Sequence, residues 1–198
     1  MESSYVALPV GDFLDVLAGE TPAPAAGSAA ALTVAQAAAL CAKTARLSRR
    51  HLAADRIGQL LADSERIGRA AASLIEHDAQ AYSRVIEANR ATRAAAAGSA
   101  GHPVALASAL SHAADVPLRV VELAAKVTML AAELAHEGNP ALRGDAMAAE
   151  HLARAGGQAA ATLVRINLAA APQDPRLTRL DQLLAQITVD GCHREAGS

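Results

Sequence analysis

The residues best suited to chemistry begin with Thr21-Pro22-Ala23-Pro24-Ala25-Ala26-Gly27-Ser28, which opens a run from Ala29 to Ala42 almost free of polar side chains. Proline fixes φ and steers the residue before it away from helix, so Thr21 to Pro24 is expected to be extended. Gly27 permits a tight turn, and Ser28 is a favourable N-cap for the helix that follows. Amides exposed at such a helix start could hold an anion or a polar ligand. A simple cap with a rigid connector is the plainer role for the same residues.

Asp78 is the second place. Leu74, Ile75, Tyr82 and Val85 recur at three-and-four spacing, and Asp78 lies in their stripe. A carboxylate turned toward an interior is costly unless it is paired or hydrogen bonded, and burial raises its pKa toward the range useful in general acid–base work. Proton transfer and pairing with a basic residue from another helix are both open to it. The third place is Arg143-Gly144-Asp145, where Asp145 either caps the first turn of a helix or serves in catalysis. Lys43 shares a mixed stripe with Gln36, Leu40 and Leu47, which lines a cavity or lets the lysine stem pack while its ammonium reaches water. The seven histidines show no ligand-like spacing; His77 and His151 are those that could carry protons.

The elements that must position these groups are helical. Apolar residues make up 52% of the chain but aromatics only 2%, so alanine, the strongest helix former, carries the core. No segment alternates as a strand would, and an all-α protein follows. At 198 residues it is expected to be a single helical domain over its full length. Periodicity predicts a short helix from Gly11 to Ala18 with Phe13, Leu14 and Leu17 inward, then helices from Ser28 to Arg49 and from Ala54 to Thr92. A small-residue linker from Ala94 to Gly101 precedes a helix from Pro103 to His136, kinked at Pro117 and carrying a Glu122–Lys126 pair. Two more helices are expected from Gly144 to Ala170 and from Asp174 to Thr188, with frayed residues after Asp190.

Composition also excludes several roles. A net charge of -2 without a basic stripe argues against a nucleic-acid partner. The cluster Arg46-Leu47-Ser48-Arg49-Arg50-His51 suits a helix C-terminus and could also meet an acidic small molecule. Cys41 and Cys192 imply neither a disulfide framework nor a zinc site. The run from Ala25 to Ala42 is weakly hydrophobic and includes Ser28, Thr33 and Gln36, which fits a buried bundle helix better than a membrane span. The amino terminus lacks a signal pattern, so a cytoplasmic protein is expected.

These places form an ordered set. Phe13-Leu14-Asp15-Val16-Leu17-Ala18, the stretch from Pro22 to Leu32, Asp78-Ala79-Gln80-Ala81-Tyr82 and Val116-Pro117-Leu118 with Glu122-Leu123-Ala124 come first. Gly138-Asn139-Pro140, Asp145 and Val164-Arg165-Ile166-Asn167-Leu168 complete it. The whole resembles the formiminotransferase-cyclodeaminase C-terminal family, which includes free-standing bacterial methenyltetrahydrofolate cyclohydrolases. The resemblance implies an antiparallel bundle of about five to six helices that dimerises, with a folate pocket near the proline-glycine turn. It implies hydrolysis of 5,10-methenyltetrahydrofolate to the 10-formyl form, or the related cyclodeaminase reaction, with no metal and no cofactor beyond the folate substrate. By the same resemblance Asp78 or Asp145 moves the proton. Pro24, Gly27, Ser28, Lys43, Tyr82, Arg165 and Asn167 would bind substrate, with Arg165 or the Arg46 to Arg50 cluster meeting the tail carboxylates. Two further roles are open to the scaffold: a cyclase or deaminase acting on a non-folate substrate, and a catalytically silent dimeric binding protein.

Several positions differ from the family pattern. Ala25 and Ala26 stand where the family has glycine, and their Cβ atoms are expected to restrict the turn. Arg46 stands for asparagine, Lys43 for an apolar residue, Gly144 for serine and Leu163 for asparagine.

Overall fold

A computed structural model describes residues 4–94 and 101–189. Its helices are α1 (Val10–Ala18), α2 (Ala26–Arg46), α3 (Ala54–Ala94), α4 (Gly101–Ala113), α5 (Asp115–Glu137), α6 (Arg143–Asn167) and α7 (Pro175–Val189). Single 3-10 turns occupy Tyr5–Ala7 and Pro140–Leu142, and no strand occurs among the described residues. The expected all-helical architecture is the one observed.

Four helices make the bundle. α2 packs against α3 and α6, α6 packs against α5, and α7 lies across α5 and α6. Contacts at both ends of α2 fix the directions. Gly27 faces Asp78 and Arg46 reaches Glu65, so α2 and α3 are antiparallel. Val34 faces Gly156 and Lys43 reaches Asp145, so α2 and α6 are antiparallel too. Small residues make this closeness possible. Ala30, Ala31, Ala37 and Ala38 of α2 are buried, and a Cβ on Gly156 would lie 2.8 Å from Val34 Cγ2 and 3.0 Å from the Ala30 carbonyl. Around this alanine-glycine seam Leu60, Ile67, Ile75, Val120, Val121 and Leu123 supply the bulk of the core. Cys41 belongs to it: burial pushes its thiol up to about 12, which makes it an inert packing group.

α3 outruns the bundle. Its 41 residues span roughly 60 Å at 1.5 Å per residue, yet no side chain beyond Ala79 is buried. From there it projects as an arm with α4 alongside it.

Several local expectations are corrected by tertiary partners. α2 begins at Ala26, with Ala25 as its N-cap, two residues before the expected start at Ser28. The long helix expected from Pro103 to His136 is two helices, separated at Ala114. Pro117 has no N–H to offer the Ala113 carbonyl, and the Asn167 side-chain amide donates to that carbonyl instead, at 3.1 Å. Leu14 is 54% exposed, leaving Phe13 as the buried residue of α1. Glu122 accepts from Arg119 at 2.5 Å rather than pairing with Lys126. The expected linker falls chiefly on residues 95–100 and the expected fraying on residues 190–198; both, with Cys192, lie outside the described residues.

By length and composition Val104–Glu137 could cross a membrane. In the fold its α5 half buries Val120, Val121, Leu123, Val127 and Leu134, as a core helix does. At the far end of α5, Gly138-Asn139-Pro140 ties two connections together. Asn139 donates its backbone N–H to Ser48 Oγ (2.9 Å) and its side-chain amide to the Leu47 carbonyl (3.2 Å). Ser48 in turn donates to the Thr44 carbonyl at 2.7 Å.

Candidate functional site

The first turn of α2 has no side-chain cap of its own. The chain enters through a cis Ala23–Pro24 peptide with Pro24 buried, and Ala25 is extended at φ -135° and ψ -159°. Asp78 of α3 faces this turn. Ser28 is fully buried, and its hydroxyl lies 3.0 Å from Asp78 Oδ2 and 3.0 Å from the Ile75 carbonyl. A hydroxyl has one proton to give. With Asp78 ionised, Ser28 can donate to it; with Asp78 protonated, Asp78 can donate to Ser28 Oγ while Ser28 donates to Ile75. Both charge states therefore have partners.

Burial raises the Asp78 carboxyl above its ordinary value, with the Ser28 hydroxyl and backbone N–H pulling the other way. Among the described residues no cation pairs with it. Desolvation outweighs the two Ser28 hydrogen bonds. Asp78 is thus a half-buried acid with a hydrogen-bond partner in either charge state.

Gly27 makes the approach possible. A Cβ built there would overlap the Asp78 carboxylate, with Oδ2 only 2.7 Å away. This role was readable in outline: one glycine persists in an alanine-rich helix start where alanine is otherwise preferred. Ala25 and Ala26 meet no such obstacle. Ala25 is in the extended region, Ala26 is helical and exposed, and no described non-glycine residue has positive φ. Their Cβ atoms do not restrict the turn. Tyr82, one turn beyond Asp78 on α3, is 43% exposed at the rim.

The other expected site residues are spread over the bundle. Lys43 Nζ meets Asp145 Oδ2 at 2.6 Å, with the two side chains 53% and 33% exposed. Lys43 follows Ser28 by fifteen residues of α2, or about 22 Å along the axis. Asp78 and Asp145 therefore do not share one site within this chain. Arg46 is held by Glu65 at 2.7 Å, and with Arg49, Arg50, His51 and Asn139 it lines a cavity of about 530 Å³ at the Lys43 end. Arg165 pairs with Asp181 of α7 at 3.0 Å, and the Asn167 amide is committed to Ala113. Gly144 and His151 are exposed, Leu163 is half-buried, and His77 lines a cleft between α3 and α4.

Known proteins share this fold. The family model described as Formiminotransferase-cyclodeaminase matches residues 9–183. A methenyltetrahydrofolate cyclohydrolase of Methylorubrum extorquens is 31% identical over 182 residues, covering 88% of each chain. The crystal structure of formiminotetrahydrofolate cyclodeaminase from Thermotoga maritima superimposes with a TM-score of 0.77 at 25% identity, covering 91% of this chain and 90% of that one. This chain thus belongs to the formiminotransferase-cyclodeaminase family.

Proposed function

We propose that this chain is a folate one-carbon enzyme that hydrolyses 5,10-methenyltetrahydrofolate to 10-formyltetrahydrofolate, with Asp78 as the proton carrier. One observation carries the residue assignment: the half-buried Asp78 carboxylate against Gly27, partnered by Ser28 in either charge state. The named activities of the two relatives support the substrate class.

In this reading water adds to the bridging carbon of the methenyl cation while Asp78 accepts one of its protons. The neutral adduct then opens. The bond from the carbon to N5 breaks with its electron pair going to nitrogen, Asp78 returns the proton there, and the adduct hydroxyl loses its proton to water as the formyl C=O forms. One proton is released overall, matching the loss of the substrate's positive charge. The Ser28 hydroxyl switches between donor and acceptor as Asp78 cycles. Pro24 and the turn backbone fix the approach, and Tyr82 borders the site. Asp145 and Lys43 stand too far off to share this step within one protomer.

The test is direct. Purified protein is mixed with 5,10-methenyltetrahydrofolate and loss of its ultraviolet absorbance is followed; a rate equal to buffer alone removes the folate reading. Ammonia release from 5-formiminotetrahydrofolate in a parallel assay assigns the cyclodeaminase reaction instead. The same reading takes the protein as a cytoplasmic homodimer; the apolar Val10 and Leu14, left 72% and 54% exposed on α1, favour the dimer alone. Light scattering at twice the 20.1 kDa chain mass is the expected result.

A further inference from the structure

We propose that the cleft between α3 and α4, outside the turn site, binds a dicarboxylate whose apolar spacer lies along the cleft floor. Its volume is about 570 Å³. His77, Gln80 and Arg84 line it from α3, Ser108 and His112 from α4, and Val116 from the start of α5; the other four lining residues are alanines. Every polar side chain in this set can donate hydrogen bonds, imidazole in either charge state, and none is a carboxylate.

Three acids close to the cleft in sequence are held elsewhere. Glu76 accepts from Ser4 at 2.6 Å, Asp78 faces Ser28, and Asp115 is held by Arg176 at 2.6 Å. Among the described residues eight arginines, from Arg46 to Arg176, are in ion pairs. Arg84 has none among the described residues, although it sits in the cleft wall. Arg84 and His77 on one wall and His112 on the other, none of them ion-paired among the described residues, make a donor set suited to an anion.

The spacing selects two anionic ends. His77 and Arg84 are seven residues apart on one face of α3, so their backbones are about 10 Å apart along the axis. Antiparallel α4 sets His112 near the His77 end and Ser108 nearer Arg84. Methyl groups of Ala81 and Ala109 lie between, with Val116 beyond the His77 end. A single phosphate satisfies one end and leaves the other open. A chain of several methylenes with a carboxylate at each terminus satisfies both. The arm also has reason to gain from a ligand: neither α3 beyond Ala79 nor α4 before Ala113 buries a described side chain in the core.

Binding of glutarate, adipate, hexanoate and inorganic phosphate to the full chain is measured by calorimetry at low ionic strength, with hydrogen exchange on the same samples. Glutarate or adipate is expected to bind at least tenfold more tightly than hexanoate or phosphate and to slow exchange in residues 77–84 and 104–116. Arg84→Ala and His112→Ala are each expected to weaken that binding tenfold or more. Both positions are exposed, so folding should survive; circular dichroism checks it, and Arg84→Lys should retain part of the affinity. Absence of dicarboxylate binding, equal binding of phosphate, or binding that neither substitution changes would overturn the proposal. The measurement uses no folate, so its failure is separate from failure of the cyclohydrolase assay.

Discussion

At its first turn α2 meets Asp78, and about 22 Å along the same helix its last turns present Lys43 to Asp145. Both contacts join α2 to an aspartate on a neighbouring helix. The first contains no cation, lies half out of water and supplies one hydroxyl that serves either charge state. The second is an ammonium against a carboxylate in largely open solvent. An acid can trade a proton readily when its surroundings do not commit it to one state, and the Ser28 end has that property. The Lys43 end has the character of a surface ion pair, worth about 0–1 kcal/mol.

The largest effect that can break this comparison is catalytic. Asp78→Asn should lower turnover of 5,10-methenyltetrahydrofolate by about 10²–10⁴, whereas Asp145→Asn and Lys43→Met should stay within about threefold, the scale of an exposed pair. Steady-state rates decide it, and equal losses at both ends would erase the distinction. Next comes Gly27→Ala. Its methyl displaces the carboxylate, so turnover should fall by about the same factor as for Asp78→Asn, while Ala25→Gly and Ala26→Gly leave it nearly unchanged. A normal rate in Gly27→Ala would show that the close approach is not needed.

The third test concerns the helix junction. Asn167→Ala should cost about 1–2 kcal/mol in urea unfolding by orphaning the Ala113 carbonyl. In a Pro117→Ala background, which restores a backbone N–H, the cost should shrink; an unchanged cost would assign Asn167 some other role.

The smallest effect sharpens the electrostatics. A folded pKa raised above the unfolded value of about 3.9 means that Asp78 contributes stability fully below that value and loses it as pH rises through the folded pKa. Asparagine does not ionise, so the stability of Asp78→Asn relative to the unsubstituted protein should grow as pH rises above about 4 and then level off. Chemical unfolding of both proteins between pH 4 and pH 7 measures it, and a flat difference would mean that Asp78 is not desolvated.

Helix existence was legible because alanine content and three-and-four periodicity are local properties. Asp78 was legible for the same reason, as the polar member of an apolar stripe. What the chain alone did not disclose were choices made between helices. Ser28 looked like a cap because its type favours caps, yet its hydroxyl goes to α3. Asn167 looked like a ligand group, yet it mends the carbonyl that Pro117 leaves unpaired. Glu122 had two basic neighbours at favourable spacing and took Arg119. Nor does spacing along the chain reveal that Asp78 of α3 and Asp145 of α6 meet opposite ends of α2; only the antiparallel packing does.

The α2 turn also divides its three small residues by what they are free to become. A side chain at position 27 must displace the Asp78 carboxylate, while Ala25 is half-buried and Ala26 exposed, both with ordinary backbone angles. If the proposed function holds, these two positions beside the acid can be varied without entering the space its carboxylate fills. Those two positions are where a directed library would alter what the protein accepts at least risk to how it reacts.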